Sequence, residues 1–112
     1  MNDIEIVTKI ISLSEKIVSY IKDLDYESFS KNEITVEACA FNLGQIGELA
    51  HRLTEDFQNT YLSIPWKSIY GMRNRIIHDY DGVNLKVVWE TISDDLPQLI
   101  DELKECIAST SK

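Results

Sequence analysis

The chain has 112 residues, and its 11 Lys and Arg against 19 Asp and Glu give a formal net charge of −8 at pH 7. This length indicates one domain over residues 1–112, and an apolar fraction of 44% is enough for a small core, which argues against a disordered chain. The acidic balance argues against a partner with long tracts of phosphate backbone, because each phosphate contact normally requires a Lys or Arg. Any contact with nucleic acid must therefore be local.

The cysteines and the amino-terminal segment narrow the class further. Cys39 and Cys106 lie far apart and outside any CxxC or Cys/His spacing, so neither a disulfide scaffold nor a zinc site is indicated. The chain begins without a basic segment followed by an unbroken apolar run, and no stretch has the length and apolar character of a membrane span. We expect a soluble, cytoplasmic protein.

Apolar residues at three- and four-residue steps predict a first helix from about Asp3 to Leu24. A polar connection follows over residues 25–32, where Ser30 followed by Glu33 fits a capping box for the second helix. The apolar face of that second helix is unusually broad and includes Val36, Phe41, Leu43, Ile46, Leu49 and Leu53. Such a face predicts a central position in the fold.

Two glycines, Gly44 and Gly47, fall inside the second helical pattern. Each costs roughly 1 kcal/mol relative to alanine in a helix interior, so some structural gain must offset them. Close approach of another backbone, within the bundle or across a dimer interface, is our preferred explanation, and a simple kink is the alternative.

A third helix is predicted from about Pro65 to His78, because proline suits the first turn of a helix. The polar connection that precedes it, residues 55–63, has room for a short helical turn. Gly82 marks the break after the third helix, and Asn84 can cap the last one.

The last helix carries an apolar stripe from Leu85 to Ile107, with Pro97 inside it. Proline removes a backbone donor and clashes with the carbonyl four residues earlier, so we expect a bend near Ser93 rather than two separate helices. The small polar tail from Ala108 is predicted to fray. Since no segment alternates with period two, the fold class is all-α: an up-and-down bundle of four long helices, with room for a short fifth.

Charge is distributed unevenly along the chain. Residues 57–78, which we call the basic span, contain no acidic residue and carry Lys67, Arg73 and Arg75, whereas the other 90 residues carry a net charge of −11 (8 − 19). The last six residues of the basic span, Arg73-Asn74-Arg75-Ile76-Ile77-His78, are followed directly by Asp79-Tyr80. A purely structural helix seldom needs this mixture of guanidinium groups, amide, imidazole and phenol.

These residue types suit the cleavage of RNA without a metal ion. The planar fork of an arginine such as Arg73 matches phosphate oxygens, and a histidine such as His78 exchanges a proton near neutral pH. An imidazole can take the proton of the ribose 2′-hydroxyl or give one to the leaving 5′-oxygen, while a guanidinium stabilises the charge on the phosphate. No cofactor is required.

Helix geometry complicates this interpretation. Arg73 and His78 are five positions apart, which places them about 140° apart around an ideal helix, whereas Asn74 and His78 share a face. The two groups can meet if the helix loosens near His78 or if two chains bring their motifs together. The second option favours a symmetric dimer with a composite cleft.

A structural interpretation competes with the catalytic one. An Arg-rich helix end followed by His and Asp also serves as a dipole cap with a surface salt bridge. His51 lacks a partner at metal-ligand spacing, and Glu48 is either a surface or interface charge or an assistant to a cleft. Trp66 and Tyr70 are predicted to be packing residues that could also stack on a base, and Trp89 is assigned to the core.

Three segments together resemble the HepT-like ribonucleases of the HEPN superfamily. They are Asn42-Leu43-Gly44-Gln45-Ile46-Gly47-Glu48-Leu49-Ala50, Ile64-Pro65-Trp66, and Met72-Arg73-Asn74-Arg75-Ile76-Ile77-His78-Asp79-Tyr80. The resemblance covers nearly the whole chain, and its Arg-x4-His-x-Tyr pattern is moderately specific alone and strong in combination with the other two segments. The P-loop, dinucleotide and HExxH motifs are all absent, so kinase, dehydrogenase and zinc-hydrolase activities have no support.

The resemblance implies a helical dimer that acts as a metal-independent endoribonuclease toxin and is inhibited by an MntA-type minimal nucleotidyltransferase antitoxin. It implies that Arg73 and His78 are catalytic, that Asn74 shapes the site, and that the antitoxin attaches AMP to Tyr80. Arg75 and Glu48 are carried over as supporting residues. The substrate could be tRNA or messenger RNA. A competing hypothesis is a non-catalytic helical dimer that binds a nucleotidyltransferase or a nucleotide.

Overall fold

A computed structural model describes residues 1–71 and 85–110 of the chain, and every regular element in these two ranges is helical. The all-α prediction is therefore confirmed. The helices are α1 (Asp3–Ile21), α2 (Tyr26–Lys31), α3 (Glu33–His51), α4 (Glu55–Thr60), α5 (66–71, up to the edge of the described range), α6 (Leu85–Glu90) and α7 (Leu96–Thr110), with a π-helical turn over Thr91–Asp95 between α6 and α7.

Helix α1 begins where predicted, because the side chain of Asn2 accepts a hydrogen bond from the backbone N–H of Glu5 at 2.9 Å. Acidic residues in the first turn, Asp3 and Glu5, also suit the positive end of the helix dipole. The helix ends at Ile21, three residues earlier than predicted, in a turn closed by the N–H of Leu24. One face of α1 is buried against α3 and α7 and forms the middle of the fold.

The connection expected over residues 25–32 contains the short helix α2 instead. Asp25 is its N-cap and shares a capping box with Ser28, whose N–H donates to the Asp25 carboxylate at 2.8 Å. Phe29 is fully buried and lies against Trp89, with ring centroids 5.0 Å apart. One buried aromatic ring thus fixes this short helix to the rest of the bundle.

The predicted capping box of Ser30 and Glu33 is wrong. The hydroxyl of Ser30 donates to the carbonyl of Glu27, one turn back within α2. Helix α3 is capped by Asn32, whose side chain accepts the N–H of Thr35 at 3.1 Å. The prediction failed because it treated two adjoining helices as a loop and a helix, which shifted the cap by two residues.

Helix α3 is central, as its broad apolar pattern predicted, and packs against α1 and α2. Its buried residues are Val36, Cys39, Ala40, Asn42, Leu43, Ile46, Gly47, Leu49 and Ala50. Phe41, however, was assigned to the apolar face and is 67% exposed. The core therefore uses a narrower part of α3 than the sequence suggested.

Helix α4 occupies the connection in which a short helical turn had been predicted. Thr54 caps it, and both the N–H and the hydroxyl of Thr54 also donate to the carboxylate of Asp3, at 2.9 and 2.7 Å. These bonds join the start of α1 to the segment that leads to α5. Helix α5 starts directly after Pro65, whose carbonyl accepts the N–H of Ile69. The predicted end of this helix at His78, the break at Gly82 and the cap at Asn84 lie outside the described residues.

Near Ser93, where a bend was expected, the structure has a π-helical turn over Thr91–Asp95. There the N–H of Leu96 donates to the carbonyl of Thr91, five residues back, and the hydroxyl of Ser93 donates to the Trp89 carbonyl at 2.7 Å. This wider turn lies directly before Pro97, which has no backbone N–H to donate to the preceding turn. Helix α7 then continues to Thr110, so the prediction that the chain frays from Ala108 is wrong over these residues.

The core is one cluster of buried side chains drawn from α1, α2, α3, α5, α6 and α7. Trp89 lies at its edge, where it is half-buried, rather than at its centre. Across residues 1–71 and 85–110, none of the helices is long and apolar enough to cross a membrane.

Candidate functional site around the basic span

Five of the six predicted site residues lie outside the described part of the chain: Arg73, Asn74, Arg75, His78 and Tyr80. Their roles remain predictions. The sixth, Glu48, lies on α3 and is half-buried. The structure also describes the first part of the basic span, residues 57–71, and the groups that surround it.

Trp66 anchors the start of α5 in the core. The indole is 6% exposed, and its N–H lies between the carbonyls of Gln58 and Tyr61, at 3.2 and 3.1 Å. Ile69, one turn further along, is fully buried. These contacts support the packing interpretation of Trp66 and leave its ring inaccessible to a base. They also fix the position at which the chain enters the predicted motif.

Tyr70 is held in a different way, at the surface between α5 and α3. Its ring stacks on that of His51, with centroids 4.5 Å apart and planes inclined by 16°. Its hydroxyl donates to the side-chain oxygen of Gln58. Partial burial raises the pKa of Tyr70, and the bond to Gln58 opposes that effect in part, so the phenol stays protonated at neutral pH.

The His51–Tyr70 stack was not predicted from the sequence. The two residues are distant in sequence, so no local pattern connects them. The only available signals were the position of His51 in the last turn of a central helix and that of Tyr70 one turn before Arg73 and Asn74. His51 had been assigned no partner, and Tyr70 had been predicted to be a packing residue with base stacking as the alternative.

Glu48, which is half-buried, lies in line with two exposed apolar side chains of α3. Ile34, Phe41 and Glu48 recur every seven residues, which places them on one face of the helix. Ile34 is 81% exposed and Phe41 is 67% exposed. Two large apolar side chains on a stripe with a predicted site residue are typical of a surface that is covered by a partner.

Gly44 lies one turn after Phe41 on α3. Its surroundings test the prediction that another backbone approaches the glycines of this helix. Within residues 1–71 and 85–110, a Cβ built at Gly44 would meet no atom within 4 Å. Close approach of another backbone to Gly44 is therefore not found in this part of the chain, and approach across a dimer interface stays a prediction. Phe41, one turn before Gly44, is exposed.

Cationic side chains next to the stack are exposed. Lys67 precedes Tyr70 by three residues on α5, so the two are neighbours on the helix surface, and Arg52 directly follows His51. By contrast, Lys31 pairs with Glu27 on the surface of α2, and Lys104 pairs with Glu15 between α7 and α1. The basic span is thus distinct in its charge from the surfaces around it.

A cavity of about 270 Å³ lies on another side of α5. Its lining includes Pro65, Ser68 and Thr91 together with the carboxylates of Asp95 and Glu102. Two acidic groups make this cavity unsuitable for the phosphates of RNA. The exposed surface around Lys67 and Tyr70 suits such a ligand better.

Neither cysteine is placed for chemistry. Cys39 and Cys106 are buried and are not joined by a disulfide bond. Burial raises the pKa of the Cys39 thiol to about 12 and also raises that of Cys106, so both stay protonated and unreactive at neutral pH. Within residues 1–71 and 85–110, no cluster of His, Cys, Asp and Glu could hold a metal ion.

The described structure thus defines an all-helical protein with a basic, aromatic surface in an otherwise acidic chain. The chain belongs to the HepT-like ribonuclease family, because the model of that family, described as "Ribonuclease HepT-like", matches residues 10–106. This range contains the whole of the basic span and the motif that ends at Tyr80.

Relatives of similar length support this membership. A candidate RNase of Caldanaerobacter subterraneus subsp. tengcongensis is 36% identical over 93 residues, which cover 83% of each chain. A candidate RNase of Methanocaldococcus jannaschii is 36% identical over 98 residues, covering 88% of this chain and 84% of the relative. A protein named as a probable ribonuclease HepT, from Thermococcus cleftensis, is 33% identical over 85 residues, covering 76% and 77%. No solved structure shows significant similarity to the chain.

Proposed function

We propose that this protein, acting as one domain over residues 1–112, is a metal-independent endoribonuclease toxin of a toxin–antitoxin pair. The observation that carries the proposal is the family match over residues 10–106, which includes the Arg73-x4-His78-x-Tyr80 motif. Two residues that precede the motif, the exposed Lys67 and the half-buried Tyr70, support RNA as the substrate.

The proposed reaction is an internal transesterification of RNA. The ribose 2′-oxygen attacks the adjacent phosphorus, the bond from phosphorus to the 5′-oxygen breaks, and a 2′,3′-cyclic phosphate forms. One His78 takes the 2′-hydroxyl proton, the His78 of a second chain gives a proton to the 5′-oxygen, and Arg73 stabilises the charge on the phosphate oxygens. Asn74, Arg75 and Glu48 support these groups.

The site is proposed to lie between two copies of the chain. The exposed stripe of α3 that carries Ile34, Phe41 and Glu48 supports this arrangement, as does the open space beside Gly44. A two-fold axis beside this stripe would bury the exposed apolar side chains and bring two copies of Glu48 to one cleft.

The proposed regulator is an MntA-type minimal nucleotidyltransferase antitoxin. It would transfer AMP from ATP to Tyr80: the phenol oxygen bonds to the α-phosphorus, pyrophosphate leaves, and the phenol proton is released to solvent. An adenylate at Tyr80 places a bulky anion two residues from His78 and competes with the RNA phosphate for Arg73. The net charge of −8 also suits a basic surface on such a partner.

Purified protein incubated with total RNA tests the activity directly. We expect cleavage in the presence of a chelator, products with cyclic phosphate ends, and a rate that falls by about 100-fold to 10,000-fold in His78→Ala. Asn59→Ala, at an exposed residue of the same acid-free span, is the matched control and should cleave like the wild type. Equal cleavage by His78→Ala and the wild type would contradict the assignment.

Adding the partner enzyme with ATP tests the regulation. We expect loss of cleavage, a mass increase of one adenylate on the wild type, and continued cleavage by Tyr80→Phe. If the partner silences Tyr80→Phe as well as the wild type, covalent control through this residue is wrong. A wild-type protein that binds the partner but cleaves no RNA would favour the non-catalytic binding module.

A further inference from the structure

The ring pair formed by His51 and Tyr70 has one supported side and one exposed side. Tyr70 is half-buried and is held from behind by Gln58, whose side-chain amide in turn donates to the carbonyl of Leu53 at 3.1 Å. His51 is exposed and lies nearly parallel to Tyr70, at 4.5 Å between ring centroids. Because Tyr70 covers one face of the imidazole, the exposed surface of His51 lies on its edge and its other face.

A flat exposed ring on a fixed support can accept a third ring. Nucleobases stack on aromatic side chains whatever their sequence, because every base has a π-face. The stack therefore provides a platform for a base, whereas Trp66, the other aromatic residue considered for this role, is buried.

The charge next to the stack suits the phosphate that accompanies a base. Lys67 is exposed on the same helix as Tyr70, one turn earlier, and Arg52 is exposed next to His51. Exposed cations beside an aromatic ring are the usual combination in sites for single-stranded nucleic acid. Glu48, one turn before His51 on α3, is the nearest acidic residue along that helix and is half-buried.

Covalent geometry keeps this platform close to the proposed catalytic motif. Three peptide units join Tyr70 to Arg73, so their Cα atoms lie within about 11 Å of each other in any conformation of the chain. A strand whose scissile phosphate binds Arg73 can therefore place a neighbouring base over His51.

We propose that His51 and Tyr70 form a nucleobase-stacking subsite that positions single-stranded RNA for cleavage, an inference that rests on the proposed ribonuclease function. His51 is a positioning residue: it contacts a base next to the reacting phosphate and takes no part in proton transfer. Lys67 binds the phosphate attached to the stacked base.

The test compares His51→Leu with His51→Phe in two measurements. Leucine keeps an apolar contact with Tyr70 but has no π-face, whereas phenylalanine keeps the stack. Tyr20→Leu, at an exposed tyrosine of α1, is the matched control. The first measurement is the fluorescence quenching of 2-aminopurine in a 2′-O-methyl RNA, which binds but has no free 2′-hydroxyl with which to react. The second is KM and kcat for cleavage of the unmodified RNA.

We expect His51→Leu to lose most of the quenching and to raise KM by roughly fivefold to tenfold, with kcat changed less than twofold. His51→Phe should restore both, and Tyr20→Leu should match the wild type. Unchanged quenching and KM in His51→Leu would overturn the proposal. So would a loss in thermal stability that accounts for the change and is not restored by phenylalanine, because the stack would then be only a structural link between α3 and α5.

Two further measurements complete the test. The first distinguishes a site for RNA from a site for a free mononucleotide, and the second distinguishes failure of the stacking subsite from failure of the proposed ribonuclease function. Free AMP at millimolar concentration should not displace the RNA; if it does so efficiently, the platform is a mononucleotide site and the RNA subsite is wrong. If the wild type quenches the noncleavable RNA through His51 but cleaves no RNA, the ribonuclease function fails while the stacking subsite stands. If it cleaves RNA and His51→Leu is normal, the subsite fails alone.

Discussion

Helices α1, α3 and α7 form a scaffold. Its buried and exposed faces differ in composition from those of the basic span. In the scaffold, the buried faces are aliphatic and the surface is acidic, with local ion pairs such as Lys104 with Glu15. In the basic span, Trp66 and Ile69 enter the core, while Lys67 is exposed and Tyr70 is half-buried on the same helix. The side chains that enter the core are thus separate from those that remain at the surface, and the two sets can be altered independently.

The largest expected effect on stability comes from the scaffold. Leu103 of α7 is fully buried, and Leu103→Ala should lower the free energy of unfolding by about 2–5 kcal/mol, through lost burial and the cavity that remains. Urea unfolding at fixed protein concentration measures this change. The rate of RNA cleavage per folded molecule should stay the same.

Glu105→Ala, at an exposed residue of the same helix, is the control and should change stability by less than about 0.5 kcal/mol. A loss below 1 kcal/mol in Leu103→Ala would contradict the packing described for α7. A change in cleavage per folded molecule would contradict the separation between scaffold and site.

The next effect concerns the stripe of α3 that the scaffold leaves exposed. Phe41→Glu should convert the proposed dimer to a monomer at micromolar concentration, because it places a charge in an apolar interface. Light scattering coupled to gel filtration measures the mass. If the site is composite, RNA cleavage should fall more than tenfold with the loss of the dimer.

Tyr20→Glu introduces the same charge at an exposed aromatic residue of α1 and should leave both properties unchanged. If the Phe41→Glu protein stays dimeric, the proposal that α3 forms the dimer interface is wrong. A monomeric variant with full activity would show instead that one chain contains the complete site.

The sequence predicted features that depend on local chemistry and missed those that depend on distant contacts. The proline at position 97 removes a donor wherever it occurs, so a departure from regular α-helix near Ser93 could be predicted without knowledge of the packing. Helix α2 was missed because six residues give little periodicity, and the burial of Phe29 against Trp89 is what holds it. The stack of His51 on Tyr70 was missed because it too depends on a contact between residues that are distant in sequence.

Phe41 shows the converse limit of sequence patterns. Periodicity alone cannot distinguish an apolar side chain that enters the core from one that is exposed in the single chain and could contact another protein, because both lie on the apolar side of a helix. The motif from Arg73 to Tyr80 is readable from residue types and spacing, whereas the surface that leads to it required the structure.

A smaller effect should separate Lys67 from the lysines of the scaffold. If Lys67 binds a phosphate, Lys67→Ala should raise KM for RNA a few-fold at low salt and reduce the slope of log affinity against log salt concentration by about 0.7. The measurement is binding of noncleavable RNA at several salt concentrations. Lys104→Ala, which removes a lysine from the surface pair with Glu15, is the control and should keep the wild-type slope. Equal slopes for both variants would place the RNA away from Lys67.

The smallest expected effect is a pH dependence at the cap of α2. The N–H and hydroxyl of Ser28 bind the carboxylate of Asp25 and lower its pKa below the usual value near 3.8. A pKa that is lower in the folded than in the unfolded state stabilises the protein above the unfolded pKa, and this contribution is lost as the pH falls through the folded pKa. Asp25→Ser keeps a capping side chain that does not titrate. Thermal unfolding should therefore show a smaller loss of stability below pH 4 in Asp25→Ser than in the wild type. The control is Asp101→Ser, which removes one charge from the surface of α7 and should keep the wild-type profile. Identical acid profiles for the wild type and Asp25→Ser would mean that this cap does not discriminate between the charged and neutral carboxyl.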